Sequence, residues 1–195
     1  STLGLYGTGL VLEREGQTFD ALGVYLSVNR YERTSSPALM SMGRVFRNLG
    51  EYDLAAAAYF ECSGLPDSPG VALAHYGIAQ LDDHQVAAAS AALASADSAG
   101  ADRAMIALIR ARAYAQSMHF DSADAAYSSA EGKITGSARL RQLAADYLED
   151  RGLIDSAIRL GGDSNKKRGA VAYDQQYEHF RRCLRHGYWW QARQA

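Results

Sequence analysis

Cysteine, proline and lysine are all scarce in this 195-residue chain, and each scarcity excludes something. Cys62 and Cys183 are the only cysteines, far apart in sequence, so no disulfide framework builds the fold; two buried, reduced thiols are expected. Proline occurs only at Pro37, Pro66 and Pro69, which leaves long stretches free to be helical. No apolar run approaches the ~20 residues that a membrane-crossing helix needs. Formal net charge is only −2, so no overall excess of one sign points to a polyanionic or polycationic partner. Lysine is confined to Lys133, Lys166 and Lys167, and arginine carries most of the positive charge. The start at Ser1 rather than Met, with no visible signal peptide, reads as a processed or excised chain of open cellular address, cytoplasmic or periplasmic.

What is abundant is alanine, at 35 residues, the strongest helix former. It recurs in register: steps of 34 from Ala55 reach Ala21, Ala89, Ala123 and Ala157. The same step links Gly9, Gly43, Gly77, Ala111 and Ala145, and links Tyr25, Tyr59, Leu93 and Tyr127 before breaking at Gly161. Three columns agreeing on one period indicate stacked helical units rather than coincidence. A small residue midway along a first helix, facing the recurrent alanine of a second, would let two backbones approach, as Gly43 would face Ala55. Larger residues such as Leu12, Phe46, Tyr114 and Leu148 would fill the space around them. Gly16, Gly50 and Gly152 suit the positive φ that follows a helix C-terminus. Asp53, Asp121 and Asp155 then stand where the next helix opens, and a carboxylate there favours its exposed N–H groups.

These columns resemble the tetratricopeptide repeat. The match is best in the second unit (Gly43, Phe46, Gly50, Tyr52, Ala55, Tyr59) and the fourth (Ala111, Tyr114, Phe120, Ala123, Tyr127, Ala130). The third departs at Gln80 and His84, the latter where a turn glycine is usual; pentatricopeptide and Sel1-type repeats have similar lengths. The resemblance implies an all-α, right-handed superhelical solenoid of antiparallel helix pairs, with units at 2–35, 36–69, 70–103, 104–137 and 138–171. Residues 172–195 would form a partial sixth unit or a cap, after a polar, glycine-rich loop near 161–169.

No catalytic arrangement stands out. His179, Cys183 and His186 share one face of a helix, but no second ligand pair completes a zinc site, and no cofactor is expected. The run Gly4 to Gly9 has glycines in repeat register and no preceding strand, so it is not a phosphate loop. Asp82 with Asp83, and Glu149 with Asp150, are expected to be solvated turn residues.

By the same resemblance, first helices line a concave groove, and its lining would comprise Tyr6, Leu10, Met40, Arg44, Arg47, His75, Ile78, Met105, Leu108 and Arg112. About half of them are expected merely to pack between units. The lysine, asparagine and arginine set with which some family members grip a terminal carboxylate is not carried over, since Tyr6, Leu10, Met40 and Arg44 stand there instead. An apolar lining with scattered arginines suits a peptide with hydrophobic anchors and an occasional acidic group. The Arg44→Glu, Arg112→Glu pair is expected to weaken partner capture without loss of helix. The resulting expectation is a non-enzymatic protein-interaction scaffold, in a bacterial secretion, pilus or polysaccharide-export assembly if family behaviour carries over. An alternative is the docking or regulatory region of a larger enzyme. A third is nucleic-acid binding through residues 162–195, which hold seven Lys/Arg against three Asp/Glu while residues 1–161 hold 13 against 19. Trp189 and Trp190 more simply await a continuation of the solenoid beyond Ala195.

Overall fold

The computed structural model describes residues 2–32, 35–67 and 69–161, and in them the alanine-rich stretches are helices joined by tight turns. The helices are α1 (Thr2–Arg14), α2 (Thr18–Tyr31), α3 (Ser36–Asn48), α4 (Tyr52–Ser63), α5 (Pro69–Asp82), α6 (Val86–Ser98), α7 (Arg103–Gln116), α8 (Phe120–Ile134), α9 (Ala138–Asp150) and α10 (Ile154–Gly161). No strand occurs among the described residues. Each odd-numbered helix packs antiparallel on the next, and the pairs stack in chain order: the all-α solenoid expected from the columns. The glycine-rich loop, the sixth unit, Cys183, the histidine-cysteine set and the basic end all lie outside the described residues.

One backbone device turns every pair. After α3, Gly50 N–H donates to Arg47 C=O and Glu51 N–H donates to Phe46 C=O, with Gly50 at φ +76°. This doubly bonded C-terminal cap recurs at Gly16, His84, Met118 and Gly152, one repeat apart. His84 (φ 58°) and Met118 (φ 62°) therefore occupy a left-handed position without being glycine, because the flanking bonds impose it. The following helices open on Gln17, Glu51, Gln85 and His119, whose side chains make no cap bond. Asp20, Asp53, Asp121 and Asp155 sit within the first turn, where their charge complements the helix dipole. Side-chain caps occur instead on two first helices, at Asp102 (2.9 Å to Met105 N) and Ser137 (3.4 Å to Leu140 N).

Beside the expected approach of Gly43 to Ala55, the small column has a second neighbour, the aromatic column of the paired helix. A Cβ on Gly43 would lie 2.5 Å from Cε1 of Tyr59, and one on Gly9 would lie 2.4 Å from Cε1 of Tyr25. Each glycine makes room for the edge of a buried tyrosine ring from the paired helix. At Gly77, where the aromatic column holds Leu93, the nearest atoms are 3.6 Å away, and they include the Ala89 carbonyl. The buried apolar residues form successive clusters along the stack. Leu22, Tyr25, Phe46 and Tyr59 belong to one of them, and Ile78, Leu81, Leu93, Leu108, Ile109 and Leu143 to another. Cys62 is buried and free; burial pushes its thiol up, and Sγ lies 3.7 Å from the Ser36 carbonyl.

Candidate functional site

Arg47 of α3 contacts Asp82 of α5 and reaches Asp146 of α9 at 3.2 Å, ninety-nine positions away. Such a contact is possible only if the odd-numbered helices curve around a common interior, so they line the concave face. Arg112 of α7 completes the cluster, donating to Asp82 Oδ1 at 3.0 Å and Asp150 Oδ2 at 2.9 Å, with Asp146 at 3.9 Å. Gln116 Nε2 donates to Asp150 at 3.3 Å and to the Leu81 carbonyl at 3.2 Å. Charge thus alternates from helix to helix: Glu13 on α1, Arg44 and Arg47 on α3, Asp82 on α5, Arg112 on α7, Asp146 and Asp150 on α9. Burial works against the Arg112 charge, but Asp82, Asp150 and Asp146 outweigh it and hold its pKa above the usual arginine value. Arg47 follows the same pattern, with Asp82 and Asp146 prevailing over burial and the nearby Arg112. A buried cluster of this kind adds little net stability over apolar packing, but it penalises any register in which a charge loses its partner.

Beside the cluster, the ring of His75 of α5 packs at a 31° tilt against that of Tyr59 of α4, with centroids 5.1 Å apart. Nη2 of Arg139, at the start of α9, contacts Nε2 of His75, while Nδ1 is buried with no partner. Burial, Arg139, Arg47 and Arg44 lower the His75 pKa to about 3, so the ring is neutral and Nε2 accepts from Arg139. Burial also lifts Tyr59 to about 12, against the pull of Arg47, Arg44 and Arg139. The N-terminal part of the face is built by α1 and α3. The Tyr6 ring packs at a tilt against Tyr25, with centroids 5.7 Å apart, and its hydroxyl hydrogen-bonds Ser41 Oγ at 3.1 Å. Glu13 accepts from Tyr25 OH at 2.9 Å and from Arg44.

The ten residues expected to line a groove separate into three groups. Ile78, Met105 and Leu108 are at most 2% exposed and belong to the core, so they have no surface to offer. Arg112 is also buried, and Arg47 is nearly so; both are spent on aspartates of the same chain. The expectation that Arg112→Glu leaves the fold intact is therefore corrected, since it would place a fourth carboxylate among three. Tyr6, Leu10, Met40 and His75 are half-buried, and Arg44, with 47% of its side chain exposed, is the most open of the set.

Asp82 is not the solvated turn residue expected, since it closes the ion cluster; Asp150 is exposed, as Asp83 is, but it also binds Arg112. Asp82 and Asp150, together with Asp146, Gln116 and Arg139, went unrecognised in the sequence, although a signal was present. Arg112 and Asp146 are one repeat apart, and so are Asp82, Gln116 and Asp150. These columns place the charged residues at equivalent positions on successive first helices, but the alternation of sign runs across three columns rather than down any one of them. Among the described residues no group of three or more His, Cys, Asp or Glu is placed to hold a metal ion. No described helix is long and apolar enough to cross a membrane.

No protein-family model matches the sequence, and no curated protein does. Solved structures do. A tetratricopeptide repeat protein from Parabacteroides merdae aligns with TM-score 0.64 at 14% identity, over 98% of this chain and 74% of that one. A crystal structure of MamA aligns with TM-score 0.57 at 21% identity, over 82% and 93% of the two chains. MamA from Desulfovibrio magneticus RS-1 gives 0.59 at 18%, over 89% and 98%. At such identities the likeness concerns the fold. The stacked pairs, their repeated caps and these alignments together give the chain the fold of a tetratricopeptide-type solenoid.

Proposed function

We propose that the chain is a protein-interaction scaffold that takes a peptide segment or partner subunit on its concave face, at the end built by α1 and α3. The supporting observation is the contrast along that face. Asp82, Arg112, Asp146 and Asp150 are bound to one another and to Arg47, whereas Tyr6, Leu10 and Met40 keep accessible surface and Arg44, although it contacts Glu13, keeps 47% of its side chain exposed. Half-buried apolar and aromatic groups beside an open guanidinium suit an apolar segment with an acidic neighbour, because desolvation supplies affinity and the charge fixes register. The resemblance suggests a subunit of a bacterial secretion, pilus or polysaccharide-export assembly as the occupant.

The test compares co-purification from the native source by the natural chain and by Arg44→Glu. Because Arg44 is half-exposed, the variant should keep its far-UV helical signal and lose the partner. A partner retained at full level by Arg44→Glu would remove this face from consideration.

A further inference from the structure

The first helix of each pair turns one side toward the pair before it, and the repeat identifies that side. Gly4, Ala38, Ala72, Ile106 and Leu140 are one period apart, and so are Val11, Val45, Ala79, Ala113 and Tyr147. From α3 onward all eight of these positions are buried. The preceding pair covers them: Ala72 clusters with Leu39 and Cys62, and Ala79 with Ala55 and Tyr59. On α1, which opens the described stack, Gly4 is exposed and Val11 is 52% exposed. Thr8 lies on the same side and is also exposed, and Leu3 at its edge is 81% exposed. A solenoid that ends in water closes on a polar outer face, and this side is not polar. No charged residue occurs between Thr2 and Leu12. The hydroxyl of Thr8 is spent within the helix, Oγ1 donating to the Gly4 carbonyl at 3.1 Å.

We propose that this side of α1 is where a second copy of the chain docks, the two α1 helices crossing antiparallel about a two-fold axis near Thr8. The proposal does not depend on what the concave face takes. In a two-fold interface a patch meets itself, so any charge within it would face its own sign; Gly4, Thr8 and Val11 bring none. An axis there sets Val11 of each copy over Gly4 of the other, a branched side chain over a bare backbone, as close packing requires. It also carries Glu15, exposed in the turn after α1, to the N-terminus of the other copy's α1. That first turn has no acidic residue of its own, so the carboxylate meets helix N–H groups that lack one, twice by symmetry. At 13 residues α1 is about 20 Å long, which limits the contact to the small end of specific interfaces and sets a dissociation constant of about micromolar.

Sedimentation velocity of the full chain, at concentrations from about 1 to about 200 µM, reads the association. A monomer–dimer equilibrium is expected, with no larger species. Thr8→Glu and Thr8→Lys should each stay monomeric throughout, because like charges then meet across the axis. Their far-UV circular dichroism should match that of the natural chain, since position 8 is exposed. Mixed in equal amounts, the two variants should dimerise again, within about tenfold of the natural affinity, because opposite charges now face each other. Val11→Ala, which removes apolar surface and adds no charge, should weaken the natural dimer several-fold. A natural chain that is monomeric across the range overturns the proposal, as does a dimer that survives both single charges. A mixture that stays monomeric overturns it too, since position 8 then meets a different surface. Species that grow beyond a dimer, the mark of head-to-tail stacking, overturn it as well.

Discussion

Alanine at position 43 and alanine at position 77 are the same chemical change in the same column of the repeat, and the structure gives them opposite signs. A Cβ at Gly43 would lie 2.5, 2.6 and 2.7 Å from three ring atoms of Tyr59. That ring is 1% exposed and held against His75, so it cannot swing out of the way. Overpacking of this kind costs about 1–3 kcal/mol, against a helix-propensity gain of about 1 kcal/mol for Gly→Ala. With three ring atoms closer than 3 Å the cost lies toward the upper end of that range, so Gly43→Ala should be net destabilising by about 2 kcal/mol. At Gly77 the new methyl meets ordinary contacts at 3.6 Å, so only the propensity gain remains, about 0.5–1 kcal/mol of stabilisation. Urea titration followed by far-UV circular dichroism reads both, as midpoints moving in opposite directions at an unchanged slope. The cause can be isolated with Tyr59→Leu, which reproduces the Gly77–Leu93 pairing in the second unit. Against that background Gly43→Ala should lose most of its cost, giving a coupling of about 1 kcal/mol or more between positions 43 and 59. Equal midpoint shifts for the two single alanines, or no coupling to Tyr59, would show that the tyrosine edge does not determine the glycine.

Three further outcomes follow from the charges and the turns. Arg112→Met leaves Asp82, Asp146 and Asp150 without their shared cation and should cost about 3–5 kcal/mol in the same titration; a loss below about 1 kcal/mol would mean that water already screens the cluster. His84→Gly and Met118→Gly should each stabilise by about 0.5–1 kcal/mol, because relief of a left-handed strain of about 1–2 kcal/mol exceeds glycine's greater freedom in the unfolded chain; lowered midpoints would refute this. His75 has an ordinary pKa of 6.5 that falls to about 3 in the fold, so the unfolded chain takes the proton first. Its contribution is complete above about pH 6.5 and is lost as pH falls toward 3, at up to about 1.4 kcal/mol per unit; His75→Phe should be measurably less acid-sensitive in that window.

The helices, their pairing and the turns could be read from the amino-acid order, because these depend on local terms that repeat. Alanine content, the 34-residue columns and the glycines at Gly16, Gly50 and Gly152 each act over a few residues, and each is visible without knowing what lies opposite. Even His84, which breaks the glycine column, adopts the backbone that its place in the repeat requires. Tertiary structure decided the rest. At Gly43 the nearest neighbour is the edge of the Tyr59 ring, whereas at Gly77 the alanine backbone expected there is among the contacts. Arg47 meets Asp146 only because four helices curve around one interior, a juxtaposition across ninety-nine positions that no local pattern encodes. That curvature sorts the arginines. Residues alike in sequence become structural at Arg47 and Arg112, remain open at Arg44, and at Arg139 rest on a neutral histidine instead of an acid. The concave lining follows a column, but which of its charges are still available depends on what the superhelix brings against them.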